Sequence, residues 1–159
     1  MARKSAGGTP ATVALDRAGV AYTLNPYAHD PQNSHFGEEA AAALGVDPDR
    51  IFKTLVADAG GELVVAVVPV ARQLDLKFLA AAAGVKRAAL ADPAAAARAT
   101  GYVVGGISPL GQKTRLRTFV DASAEQFPTI FVSAGKRGLQ VELAPADLIR
   151  LTGADLAVL

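Results

Sequence analysis

The sequence predicts an α+β fold with a mixed sheet. Three observations carry this: apolar runs rich in β-formers come in pairs joined by short glycine turns, capped helices are interposed between those pairs, and strict strand-helix alternation is absent.

Thr9-Pro10 opens the first helix, Thr as N-cap and Pro in the first turn, and Gly19 ends it, with Val13, Leu15 and Ala18 available for its apolar face. Ala21 to Asn25 reads as a short strand. A polar, proline-flanked loop follows, Pro26-Tyr27-Ala28-His29-Asp30-Pro31-Gln32-Asn33; Ser34 then caps a helix through Leu44, which Gly45 ends. Asp47-Pro48-Asp49 turns the chain into the strand Ile51 to Ala57. The turn Asp58-Ala59-Gly60-Gly61 leads from there into Leu63 to Val68, which makes a hairpin. Pro69 marks an edge or the end of pairing.

Asp75 caps the next helix, with Leu76, Leu79 and Ala80 at helical spacing and Gly84 at its end. Val85 to Leu90 reads as a strand, and Asp92-Pro93 starts a helix to Thr100. Beyond a glycine-rich stretch, Leu116 to Asp121 and Thr129 to Ser133 are strands. A basic turn, Ala134-Gly135-Lys136-Arg137-Gly138, joins the last of these to Leu139 to Leu143 as a second hairpin. Ala144-Pro145 starts a closing helix that carries Leu148, Ile149 and Leu151.

At 159 residues, 51% hydrophobic and 19% charged, the chain fits one globular domain large enough to bury a core. It contains no apolar run near the roughly 18 residues of a membrane span, and Met1-Ala2-Arg3-Lys4-Ser5 leads into Gly-Gly-Thr-Pro instead of a signal-type apolar core. A soluble, cytoplasmic protein is expected, with no membrane partner. Zero cysteines exclude disulfides, thiolate metal sites and a cysteine nucleophile, and two histidines, His29 and His35, are too few for most histidine metal sites. A net charge of +1 gives nucleic-acid binding little bulk support, so any such contact has to rest on local clusters.

Candidate site residues begin with Lys53. Strand alternation puts it on one side with Ile51, Leu55 and Ala57, with Phe52, Thr54 and Val56 opposite. An ammonium is costly to bury alone, so the strand lies at an edge where Lys53 reaches water, or a cavity there awaits a polar ligand. Tyr27 and His29 are the chemically interesting members of their loop, though an aromatic at a core margin and an idle loop histidine explain them as well.

The stretch Gly101 to Lys113 has four glycines, a proline and a serine among bulky apolar residues. That describes an ordered loop with special backbone angles, whose free N–H groups can form an anion or oxyanion cradle. It lacks the Gly-Lys-Ser/Thr ending of a phosphate loop and the Gly-x-Gly-x-x-Gly pattern. Lys113, Arg115 and Arg117 alternate along one face of the emerging strand, and Lys136-Arg137 forms a second basic set. Charge runs are usually solvated faces, yet two basic patches beside a glycine loop also suit a phosphate backbone.

Five separate motifs, in order and at their spacing, resemble the YbaK family of Cys-tRNA(Pro) deacylases, within the prolyl-tRNA editing superfamily. They are Tyr27-Ala28-His29-Asp30-Pro31, Phe52-Lys53-Thr54-Leu55, Gln73-Leu74-Asp75-Leu76-Lys77, the stretch from Thr100 to Gln112, and Ser133-Ala134-Gly135-Lys136-Arg137-Gly138-Leu139. The similarity runs from about Thr9 to Leu151. It implies a curved, barrel-like mixed sheet flanked by helices, in a single editing domain over 9–159 behind a flexible segment 1–8. It implies a free-standing, cytoplasmic editor that clears cysteine from mischarged proline tRNA, with prolyl-tRNA synthetase as a candidate partner and no cofactor or metal.

The resemblance also assigns residues. Lys53 is the essential lysine, and Gly105 to Pro109 is the superfamily's Gly-x-x-x-Pro loop, with the N–H groups of Gly105, Gly106 and Ile107 toward the oxyanion. Tyr27 and Ser133 are the family's pocket tyrosine and serine; Thr54, Ser108 and Pro109 join them as substrate-binding candidates, and the basic patches predict that Lys113, Arg115, Lys136 and Arg137 dock the acceptor end of tRNA. One departure is visible: family members carry Asp where this chain has Gln140. In the implied reaction the substrate's own thiol attacks its ester carbonyl, which agrees with the absence of a nucleophile motif. An editor of another mischarged tRNA such as Ala-tRNA(Pro), activity on Cys-tRNA(Cys), and a non-catalytic tRNA- or synthetase-binding module are the alternatives.

Overall fold

A computed structural model describes residues 8–159, so the expected flexible segment 1–8 lies, Gly8 apart, outside the described residues. In chain order the elements are α1 (Pro10–Ala18), β1 (Tyr22–Pro26), α2 (Phe36–Leu44), β2 (Phe52–Ala59), β3 (Glu62–Pro69), α3 (Leu76–Ala83), β4 (Ala88–Leu90), α4 (Pro93–Thr100), β5 (Arg117–Asp121), a 3-10 helix (Ala122–Gln126), β6 (Ile130–Lys136), β7 (Leu139–Leu143), α5 (Pro145–Thr152) and β8 (Asp155–Ala157). No helix among the described residues is long and apolar enough to cross a membrane.

The strands form two sheets, one of order β1-β7-β6 and one of order β4-β2-β3-β5-β8. The first is wholly antiparallel; in the second, β4, β2 and β3 are antiparallel while β5 and β8 run parallel to their neighbours, which makes it mixed as expected. The sheet does not close, so "barrel-like" is corrected to two leaves. They meet at an isolated parallel bridge between Ile51 and Phe131.

Arg50 reinforces that junction. Its Nε donates to the Thr129 carbonyl at 2.8 Å, its terminal nitrogen binds the Thr129 hydroxyl and reaches Glu142 at 2.9 Å, and its guanidinium lies 5.2 Å from the centre of the Phe131 ring.

β3 is buried on both faces, which its continuous Leu63 to Val68 run dictates. Val65 and Val67 enter a large core with Leu15, Phe52, Val56, Ile130, Val132, Val141, Leu143 and Leu148, contributed by both sheets, α1 and α5. Val64, Ala66 and Val68 turn to a smaller core with Leu79 of α3, Phe119 and Leu159.

Most helix ends fall where the caps put them. Thr9 and Thr12 form a reciprocal capping box on α1, and Asp75 and Asp92 accept from the first turns of α3 and α4. Several departures stand out, the first two with a local cause. α2 starts at Phe36 without a side-chain cap, because Asn33 Oδ1 takes the His35 N–H at 2.8 Å and turns the chain before Ser34 can cap anything. Asp58 and Ala59 extend β2, since Gly60 and Gly61, at φ +65 and +95, complete the reversal alone. β4 is reduced to three residues. β5 begins only at Arg117, so Lys113 and Arg115 lie on the preceding loop and do not alternate on a strand face.

Candidate active site

β4 pairs with β2 only from Ala57 to Ala59, with one further bond from the Ala91 N–H to the Val56 carbonyl at 3.0 Å. Along Phe52 to Leu55 the strand has β3 on one side and, among the described residues, no strand on the other. A cleft of about 390 Å³ opens along that bare edge. Its walls come from the start of α2 (His35, Phe36, Gly37, Glu38), from Ile51 to Val56, from Leu90 to Ala96, from the glycine loop at Val104, Gly105 and Ile107, and from Ser133 and Gln140 of the smaller sheet.

Lys53 is half-buried on this edge, and its ammonium makes no hydrogen bond or ion pair with any described residue. Burial holds its ammonium below the usual lysine range of 10.5, and the Glu38 charge partly offsets that shift. Thr54 Oγ1 and Gln140 Oε1, of residues on the same cleft, are buried with no hydrogen-bond partner among the described residues. Polar atoms left so are expensive unless a ligand or water completes them. Gln140 stands directly opposite Ser133 in the β6-β7 pairing, and the Ser133 hydroxyl accepts the Gly135 N–H at 3.2 Å.

The glycine loop is held in shape by its own bonds. The Tyr102 hydroxyl donates to the Leu110 carbonyl at 2.6 Å, Gln112 donates to the Ser108 carbonyl at 2.9 Å, and the Lys113 N–H reaches Thr100 at 2.9 Å. Burial pushes the Tyr102 phenol up to about 12, so it stays a donor. Gly105 needs to be glycine: its φ is +87, and a Cβ would sit 2.6 Å from Cγ of Phe36.

The N–H of Gly106 is taken by the Val103 carbonyl at 2.9 Å, whereas the loop residues that line the cleft, Val104, Gly105 and Ile107, have amides with no acceptor among the described residues. Gly106, Ser108 and Pro109 are buried behind the loop. The Ser108 hydroxyl accepts the Leu110 N–H at 3.2 Å and does not line the cleft.

Tyr27 lies just outside the cleft lining, packed against Ala40, Ala41, Ile51 and Phe131, with its N–H on the Gly138 carbonyl at 2.9 Å. Burial raises its phenol and the Glu39 charge adds to this, while contacts with Gly138 and the Gln140 side chain work the other way. Its loop is tied to α2 by Glu39, which pairs with His29 Nδ1 at 2.6 Å and accepts the Asp30 N–H at 2.8 Å. The His29 and Asp30 bonds hold the Glu39 carboxyl below the usual range.

Of the four cations assigned to tRNA docking, none lines the cleft. Lys113, Arg115 and Lys136 are exposed. Arg137 is engaged: its Nε donates to the Val104 carbonyl at 2.9 Å and its guanidinium stacks 4.7 Å from the centre of Phe36.

Phe36 and Glu38 were not singled out from the sequence. Phe36 lies between His29, Arg137 and Gly105 and so joins three motifs, but an aromatic at a helix start announces nothing by itself. Glu38 in a first helical turn reads as an ordinary partner of the helix dipole.

Among the described residues the arrangement offers an unpaired cation and loop amides without acceptors beside an apolar wall, and no nucleophile is needed to polarise a carbonyl there. An aminoacyl-tRNA editing domain model matches residues 31–151. Over 122 residues, 76% of this chain and 74% of the relative, the sequence is 44% identical to an Enterococcus faecalis protein named "Putative Cys-tRNA(Pro)/Cys-tRNA(Cys) deacylase EbsC". It is 31% identical over 120 residues, 75% of this chain and 72% of the relative, to the Escherichia coli "Multifunctional Ser/Thr-tRNA deacylase ProXp-y". The solved structure of "a putative trans-editing enzyme for prolyl tRNA synthetase" superposes with a TM-score of 0.82 at 25% identity, covering 99% of this chain and 98% of that one. The chain belongs to the aminoacyl-tRNA editing domain family, the YbaK family that its five motifs resemble.

Proposed function

We propose that the protein is a trans-editing deacylase that clears cysteine from mischarged Cys-tRNA(Pro). The observation that carries the reading is the unpaired Lys53 on the same cleft as the unoccupied amides of Gly105 and Ile107. The terminal ribose and its ester enter along the bare edge of β2. Lys53 holds the substrate's ester end by charge-assisted hydrogen bonds, and the two amides receive the charge that develops on the carbonyl oxygen.

For a cysteinyl ester the reaction needs no water. The thiol, as thiolate, attacks its own carbonyl carbon, the bond to the ribose oxygen breaks, and that oxygen takes up a proton; the products are a cyclic thiolactone and tRNA with a free hydroxyl. The cleft's part is to hold the ester so that this attack is in reach. Prolyl-tRNA synthetase is the partner that would supply mischarged tRNA, a reading supported by the superposed trans-editing enzyme named for that synthetase.

A second reading, an editor for another small residue such as alanine or serine, is favoured by the relative named for Ser/Thr-tRNA. Incubation with Cys-tRNA(Pro), Ala-tRNA(Pro), Ser-tRNA and Cys-tRNA(Cys) in parallel, with the released product identified, separates the two. Fastest release from Cys-tRNA(Pro), as thiolactone, is the expected result; preference for alanine or serine transfers the assignment. Lys53→Ala is expected to lower kcat/KM by about 100-fold or more with an unchanged melting temperature. Full activity in that variant would remove the lysine from the mechanism.

A further inference from the structure

Among the described residues Glu38 is the acidic residue of the cleft lining and Lys53 its one lysine or arginine, yet no ion pair joins them. Its neighbour Glu39 is fully occupied by His29 and the Asp30 N–H; Glu38 makes no side-chain hydrogen bond with any described residue, and it is exposed at the mouth of the cleft. Gln140, 7% exposed, adds a buried acceptor oxygen with no donor among the described residues. The cleft therefore presents a cation with free N–H groups for an oxygen, and separately an anion with a bare acceptor for a donor. A ligand that completes both sets carries an ammonium close to a carbonyl. In an aminoacyl ester the α-ammonium is attached one carbon from the ester carbonyl.

Resting on the editing reading above, we propose that Glu38, with Gln140 Oε1, receives the substrate's α-ammonium, so that the cleft selects esters with a free α-amine and refuses N-acylated ends such as those of formylated or peptidyl tRNA. Acylation removes the charge, two donors and the small size of that group together. Left facing an amide, the Glu38 carboxylate meets at most one uncharged N–H, and the Gln140 oxygen competes with the acyl group for space. The family's Asp, present here as Gln140, would have placed a negative charge deeper in the same cleft; with the amide there, the carboxylate at the mouth is what remains to read the amine.

The test uses non-hydrolysable probes, 3′-(L-cysteinylamino)-3′-deoxyadenosine and its N-acetyl derivative, titrated calorimetrically into the full chain under reducing conditions. The wild type is expected to bind the free-amine probe about 10-fold more tightly or better. Glu38→Gln should lose most of that preference by weakening the free-amine probe alone, and Glu38→Asp should restore part of it. Equal binding of the two probes by the wild type, or an undiminished preference in Glu38→Gln, overturns the role of Glu38 and leaves the editing reading standing. Failure of the wild type to bind either probe overturns both.

Discussion

Lys53 shows how far a single residue could be read in advance. Apolar flanks in a strand made it conspicuous, and the structure gives the physical reason: it sits on an uncovered strand edge that is also the wall of a cleft. What the sequence could not display is where lone pairs and N–H groups are already committed. The Gly106 amide goes to Val103 and the Ser108 hydroxyl to Leu110, and neither bond leaves a mark on residue order.

The depressed ammonium of Lys53 has a testable sign. Burial disfavours its charged form, so the proton leaves the folded protein at lower pH than it leaves the unfolded chain. Between those two values the unfolded state holds more protons, and folding stability gains from this group as pH rises. Activity that needs the ammonium does the opposite. A profile of kcat/KM against pH is expected to fall on the alkaline side below 10.5, and Glu38→Gln should move that limb to lower pH because the Glu38 charge opposes the burial shift. An alkaline limb unmoved in Glu38→Gln would contradict this.

Among the elements, hairpins and capped helices were legible because each is written locally, in turn glycines and in Thr9, Asp75 and Asp92. β8 and the 3-10 helix were not. β8 is three residues long and exists by pairing with β5, while the helix is capped by Asp121, whose carboxylate also holds Arg72 and the Leu159 N–H. The junction between sheets was equally invisible, since Arg50 reads as one more surface cation until Thr129, Glu142 and Phe131 are folded against it. Arg50→Ala removes those bonds and leaves the Thr129 carbonyl without its donor, while Glu142 keeps only the Thr129 hydroxyl. A loss of about 1–3 kcal/mol is expected from the shift in urea midpoint at unchanged m-value. A shift near zero would mean that the bridge and shared core hold the leaves without it.

At the scale of the whole molecule, the fold class followed from the pattern of elements, but an open pair of sheets cannot be told from a closed one by pattern alone, because closure depends on register at edges. The same holds for charge. A net +1 hides the fact that Lys113, Arg115 and Lys136 remain exposed while Arg137 is spent on Val104 and Phe36. If the exposed cations dock the acceptor end, KM for tRNA should rise on the order of 10-fold between 50 and 200 mM salt with kcat little changed, and Lys113→Ala with Lys136→Ala should flatten that slope. A KM indifferent to salt would assign docking to other groups.

The seam between the leaves has a mechanical consequence. Ile51 and Phe131 form a narrow joint, and the hollow beside it takes wall residues from each leaf, Lys53 and Thr54 from one, Ser133 and Gln140 from the other. Whatever lodges there braces the two leaves like a wedge in a hinge, so occupancy and rigidity of the whole framework rise together, without any lid having to close.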